Sequence, residues 1–92
     1  MKYFDWDKEK NQWLKEERSV CFEDVIQALD NGKELARINH PNKKRYPYQK
    51  MIIVNLENYA YIIPFVEDEE KIFLKTIIPS RKMTKKYLVK ER

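Results

Sequence analysis

Ninety-two residues, 42% of them hydrophobic and 37% charged, suffice for one globular domain over residues 1–92 and leave no room for a second core. A single glycine excludes a glycine-rich phosphate loop of the Walker or Rossmann kind, and a single cysteine, Cys21, excludes an intramolecular disulfide. The net charge of +4 is unevenly spread: residues 1–31 hold five basic and eight acidic groups, residues 32–70 six of each, and residues 71–92 eight basic groups against Glu91 alone.

Basic charge gathered at one end of a small domain suits a polyanion or an acidic protein, although a solvated helix has the same composition. The apolar runs, such as Tyr59 to Val66, are too short to cross a bilayer. With one free cysteine and no secretory apolar segment, the expectation is a cytoplasmic protein with no membrane contact.

Lys2 to Phe4 reads as a short strand, and Asp7 as the N-cap of a helix over Lys8 to Glu17. Helical spacing puts Trp13 and Leu14 on one side of it, so both are expected to anchor the helix to the core. Ser19 or Cys21 opens a second helix, in which Phe22, Val25, Ile26 and Leu29 form an apolar stripe. Asn31-Gly32 ends it, Gly32 being free to adopt the left-handed conformation that a helix C-terminus favours. Leu35 to Ile38 reads as a strand. Pro41 and Pro47 keep residues 39–48 irregular.

Three strands follow. Met51 to Asn55 is rich in β-branched residues and turns at Glu57-Asn58 into Tyr59 to Val66, where Pro64 implies an edge or a bulge. Glu67 to Glu70 is a polar turn into a strand over Lys71 to Ile78. Simple alternation puts Phe73, Lys75 and Ile77 on one face of that strand, and Ile72, Leu74, Thr76 and Ile78 on the other. Pro79-Ser80 breaks it, and Ser80 caps a basic C-terminal helix with Met83, Tyr87 and Leu88 inward. The sum is an α+β sandwich of two layers: two N-terminal helices, an antiparallel sheet and a basic C-terminal helix.

Metal and cofactor chemistry find no support in the residue pattern. Asp68, Glu69 and Glu70 crowd one turn with no second carboxylate cluster, and one Cys with one His makes no zinc site. Cys21 at a helix start reads as a small capping or buried residue rather than a nucleophile.

Three segments carry a family resemblance. Phe4-Asp5-Trp6-Asp7 with Lys10 is similar to the opening F-x-W-D-x-x-K of the BrnT toxins, small RelE-like ribonucleases paired with DNA-binding antitoxins. Cys21-Phe22-Glu23-Asp24-Val25 resembles the family's S-F-E-E-A, and Ile77 to Thr84 resembles its I-I-S-A-R-K-A-T. Trp6 and Phe22 have the expected separation. The segment from Arg37 to Pro64, including the loop after His40, lies outside the pattern. Where the family has Lys-His-Gly before its second helix, this chain has Glu17-Arg18-Ser19, which marks a divergent branch.

The resemblance implies a RelE-like fold and RNA cleavage without a metal or other cofactor, by attack of a ribose 2′-hydroxyl on the adjacent phosphate. That chemistry needs a base, an acid and cations on the phosphoryl oxygens. Arg81, in the matching motif, is the first candidate cation, because a guanidinium fork fits a phosphate. Lys75 is the second. His40, the only histidine, carries the side chain that ordinarily titrates closest to neutrality and is the candidate for proton transfer. Arg37, Lys43, Lys44, Arg45, Tyr48, Lys82, Lys85 and Lys86 are the candidate RNA contacts, and Tyr46 is a further aromatic in the same loop. The implied partners are RNA and a ribbon-helix-helix, BrnA-like antitoxin, in a toxin–antitoxin heterotetramer or with the toxin self-associated. The competing reading is a non-catalytic nucleic-acid-binding or adaptor domain; a gyrase-directed toxin is a third.

Overall fold

The computed structural model describes residues 2–89. Lys90, Glu91 and Arg92 of the basic C-terminal segment lie outside the described residues. In chain order the elements are β1 (Tyr3–Trp6), α1 (Lys8–Arg18), α2 (Phe22–Asp30), β2 (Glu34–Asn39), β3 (Lys50–Leu56), β4 (Tyr59–Glu67), β5 (Lys71–Leu74), β6 (Ile78–Pro79) and α3 (Arg81–Tyr87). No helix among the described residues is long and apolar enough to cross a membrane.

The helix boundaries follow from local chemistry. Asp7 accepts a hydrogen bond from the Lys10 backbone N–H, and Ser80 from that of Met83, so each caps the helix it precedes. Ser19 closes α1 in the left-handed region at φ 57°, leaving Cys21 as the N-cap of α2. Cys21 makes no side-chain capping bond. Asn11, a buried polar side chain of α1, supplies one instead: its Oδ1 accepts from Phe22 N at 2.7 Å, and its Nδ2 donates to Glu23 Oε1 at 2.8 Å. At the other end of α2, Gly32 takes φ 74°.

The sheet runs β1-β5-β4-β3-β2, with β6 also pairing with β4. The β2, β3, β4 and β5 neighbours are antiparallel; β1 joins β5 in parallel, with Tyr3 opposite Lys71 and Trp6 opposite Leu74. The sheet is therefore mixed. Glu57 and Asn58, both at positive φ, make the two-residue turn between β3 and β4.

Pro64 is not at an edge, because β4 is a central strand. Its carbonyl accepts a hydrogen bond from Lys75 N at 2.8 Å, so its nitrogen faces the same side, where β5 has ended and β6 has yet to begin. A missing donor costs least in that gap. Across the gap Phe65 opposes Leu74 and Ile62 opposes Ile78, so the two residues of β4 between these pairs, 63 and 64, face three, 75–77: a bulge of one residue.

The bulge overturns simple alternation for residues 71–78. Ile72, Leu74 and Ile77 all enter one core, and Ile78 is exposed. That core joins Leu14, Phe22, Val25 and Ala28 of the helices to Ile52, Val54, Ile63 and Phe65 of the sheet. Trp6 stacks on Phe22 with ring centroids 5.5 Å apart, which brings together the two aromatics of the sequence motifs. Ile53 and Ala60, buried on the opposite side of the sheet, are outside that cluster. So is α3, which packs against β4 with Met83, Tyr87 and Leu88 half-buried, and Thr84 Oγ1 accepts from Ala60 N at 2.9 Å.

Candidate nucleic-acid interface

The one-residue bulge determines where the cations go. Past Leu74 the strand leaves the register, and Lys75 swings into solvent rather than into either packed face. From the end of α1, Arg18 Nη1 donates to the carbonyl of Ile77 at 3.2 Å, which fixes a guanidinium against the bulge. Two residues after Ile78-Pro79 the chain enters α3 at Arg81, which is exposed. Lys75, Arg18 and Arg81 thus border the segment that joins β5 to α3, the β5–β6–α3 corner, with Lys75 level with Pro64 and Ser80 with Ala60, four residues or about 13 Å apart along β4. None of the three has an ion-pair partner among the described residues, so the corner presents uncompensated positive charge. Lys82, Lys85 and Lys86 extend it along exposed positions of α3.

Trp13 does not anchor α1 to the core; it is 42% exposed. The helix buries Asn11 and Leu14 instead, and rotation about the helix axis leaves Trp13 outside. Lys10 Nζ lies 4.6 Å and the Arg18 guanidinium carbon 5.1 Å from its ring centroid. An aromatic face between two cations, one of them tied to the bulge, adds a stacking surface to the corner. Sequence patterning missed it because Trp13 and Leu14 are adjacent and both look apolar. The buried polar Asn11, one turn before Leu14, was the available signal of which side faces inward.

His40 and its neighbours belong to a different place. The loop 40–49 is closed by a hydrogen bond from His40 N to Gln49 O at 3.0 Å, at the far end of β2 and β3. Pro79 is level with Tyr61 on β4, whereas Asn39 is level, through Lys50, with Phe65. Four residues and three strand spacings therefore separate Pro79 from Asn39, about 13 Å along the strands and about 14 Å across them. Arg81 and His40 lie beyond those two residues in opposite directions, so they are on the order of 20 Å apart or more. The structure does not bring His40 to the same phosphate as Arg81. Lys43, Lys44, Arg45 and Tyr48 share the His40 loop, exposed. Arg37 is committed elsewhere: it forms a two-pronged bond with Glu34, at 2.9 Å each, and lies over the Phe65 ring at 5.6 Å.

Other chemistry is limited. Burial pushes the Cys21 thiol above its ordinary range, with the Asp24 carboxylate adding to the effect, so it is no activated nucleophile. No group of three metal-ligating side chains occurs among the described residues. A groove of about 320 Å³ between α2 and the ends of β3 and β4 is lined by Ser19, Asp24, Gln27, Lys33 and Tyr61 among others, and holds none of the candidate RNA-contacting side chains. The stretch from Lys75 to Lys86 presents exposed cations and contains no imidazole.

No family model matches the chain, and no curated protein matches it. Among solved structures, the crystal structure of the Brucella abortus ribonuclease toxin BrnT superposes with a TM-score of 0.61, over 87% of this chain and 97% of that one, at 16% sequence identity. The match takes in nearly the whole length of that toxin, and the α+β arrangement of three helices and a mixed six-stranded sheet is a BrnT-like fold.

Proposed function

We propose that the chain is a BrnT-like toxin of a toxin–antitoxin pair, a metal-independent ribonuclease whose action on RNA arrests translation and growth. The observation that carries this reading is the Lys75–Arg18–Arg81 corner on a fold shared with a ribonuclease toxin. In the reaction a ribose 2′-oxygen attacks the adjacent phosphorus, the 2′ proton passes to a base, and the 5′-oxygen leaves with a proton. Arg81 and Lys75 neutralise the charge that develops on the phosphoryl oxygens, and Arg18, in the Glu17-Arg18 that stands where the family has Lys-His, supplies a positive charge but no base. Lys82, Lys85 and Lys86 hold the flanking phosphates. A ribbon-helix-helix antitoxin with an acidic segment suits the same surface, and the setting is the cytoplasm.

The test is inducible expression in a bacterium, with growth and total RNA followed over time. The expected result is arrest with fragmented RNA, relieved by Arg81→Ala in a protein that still folds. Arrest with intact RNA, or full toxicity of Arg81→Ala, refutes the assignment.

A second reading, a non-catalytic RNA-binding domain, is favoured by one observation: the only imidazole of the chain is on the order of 20 Å from Arg81. It predicts salt-dependent RNA binding with no cleavage under any condition.

A further inference from the structure

We propose that the loop of residues 40–49 is a separate, non-catalytic anchor for single-stranded RNA, which holds the strand at the end of the sheet opposite Arg81 and α3. The proposal rests on the reading of RNA as the ligand and adds a second contact to it. This segment lies outside the three stretches that carry the family resemblance.

The loop is built, not slack. Tyr46 N donates to Asn42 O at 2.9 Å and Gln49 N to Tyr46 O at 3.3 Å, inside the closing bond between His40 and Gln49. The Asn42 side chain accepts from Arg45 N at 3.2 Å, and His40 Nδ1 accepts from Asn42 N at 3.0 Å. Pro41 and Pro47 restrict the backbone further. A loop ordered before binding loses less entropy when a ligand arrives.

Its exposed chemistry combines charge with aromatic surface. Lys43, Lys44 and Arg45 are exposed and have no ion-pair partner among the described residues. Tyr46 lies against His40 with centroids 4.6 Å apart and the rings tilted by 44°, and has the Arg45 guanidinium 5.5 Å from its ring. Tyr48 is 85% exposed, the most exposed of the large hydrophobic side chains among the described residues. An acidic peptide would need only the cations. Unpaired bases need flat π-faces beside phosphate-binding charges, which this loop presents and a double helix could not use. The acidic turn after β4 is at the same end of the sheet, but Lys2 and Lys50 hold Glu67 at 3.0 and 3.1 Å. Asp68 accepts from the backbone N–H groups of Glu70 and Lys71, and Glu69 and Glu70 remain exposed in that turn.

The separation from Arg81 sets a length requirement. A gap on the order of 20 Å corresponds to about six nucleotides of stacked strand at ~3.4 Å each. Shorter strands can reach only one of the two places.

The test measures binding of the full chain to single-stranded oligodeoxynucleotides, which lack the 2′-hydroxyl and cannot be cleaved, by fluorescence anisotropy across a salt series. Wild-type protein is compared with the Lys43→Ala, Lys44→Ala, Arg45→Ala triple variant, with Tyr48→Ala and with Arg81→Ala, each checked for native circular dichroism. For a strand about twice the bridging length, the triple variant is expected to weaken binding at least about tenfold. It should also flatten the slope of log affinity against log salt by about 2, three phosphate contacts at ~0.7 each. Tyr48→Ala should weaken binding by about fivefold or more. Strands of about three nucleotides should distinguish the loop variants from wild type far less. Loop variants that bind the long strand as wild type does overturn the anchor while leaving the corner standing. No oligonucleotide binding by the wild type overturns both. Loss of binding to polyglutamate with oligonucleotide binding intact overturns the anchor and assigns the loop to an acidic protein segment.

Discussion

Replacing Asn11 tests how the two N-terminal helices are joined. Phe22 begins α2, and its buried backbone N–H, which has no intrahelical acceptor in the first turn, donates to Asn11 Oδ1 at 2.7 Å. Asn11→Ala leaves that donor orphaned in the core at a cost of about 2 kcal/mol. For a domain of this size the melting temperature should fall by about 8–16 °C. Asn11→Asp retains an oxygen for Phe22 but sets a carboxylate against the Glu23 carboxylate that Asn11 Nδ2 now binds at 2.8 Å. In the native chain the hydrogen bond from Asn11, with lesser help from the Glu23 backbone and Lys15, holds the Glu23 carboxyl below its ordinary range. In the Asp variant the two carboxyls raise one another instead. A raised folded-state value means stability that is present at low pH and lost as pH rises through that value. The Asp variant should therefore melt near wild type at pH 4 and several degrees lower at pH 7, whereas the Ala deficit keeps its orphaned-donor part at both and loses, on acidification, only the part that the Asn11 bond to the Glu23 carboxylate contributes. Thermal unfolding followed by circular dichroism at both pH values decides it. An Asp deficit equal at pH 4 and 7, or an Ala variant within about 3 °C of wild type, refutes the capping argument.

Four further outcomes follow from the same geometry. Arg81→Ala should lower RNA cleavage about 10²–10³-fold, measured with a labelled transcript, with no change in melting temperature because the side chain is exposed. Lys75→Ala should act in the same direction, and its loss of binding should shrink at high salt, which a gel-shift titration reads. Glu67→Gln removes a carboxylate that Lys2 first, and then Lys50, hold below the ordinary range. Its contribution is complete above the ordinary carboxylate range and lost as pH falls through the folded value, so a deficit of about 0.5–1 kcal/mol in urea unfolding at pH 7 should vanish near pH 3. Pro64→Ala introduces an N–H into the gap between β5 and β6 and relaxes the unfolded chain, and should cost about 1 kcal/mol or more by the same assay.

Local signals in the sequence translated directly into structure where one residue governs one bond. Asp7 and Ser80 cap the helices they were read to cap, Gly32 takes the left-handed conformation, and Glu57-Asn58 makes the turn. The stripe of α2 faces the core at Phe22 and Val25. Non-local relations were illegible. Nothing in Tyr3 to Trp6 announces a parallel pairing with Lys71 to Leu74, because strand partners are selected by the whole packing arrangement. Trp13 was misread because apolar character alone does not fix the rotation of a helix when a polar Asn11 has bonding reasons to be inside.

The candidate site shows the same division more sharply. Arg81 was legible from its motif, but its companions depend on one extra residue in the strand. Period-two alternation aligned Lys75 with Ile77, which would have sent a charge toward the core or Ile77 toward solvent. The bulge at 75–77 resolves that conflict by changing the phase once: Ile77 enters the core and Lys75 reaches water. It also turns the Ile77 carbonyl out of the ladder, where Arg18 binds it and brings the end of α1 to the same corner. Pro64 on the opposing strand is compatible with this geometry because an uninterrupted β5 would require the hydrogen bond it cannot donate. The proline that looked like an edge signal and the lysine on an apparently buried face thus have one cause, the break in the strand between β5 and β6.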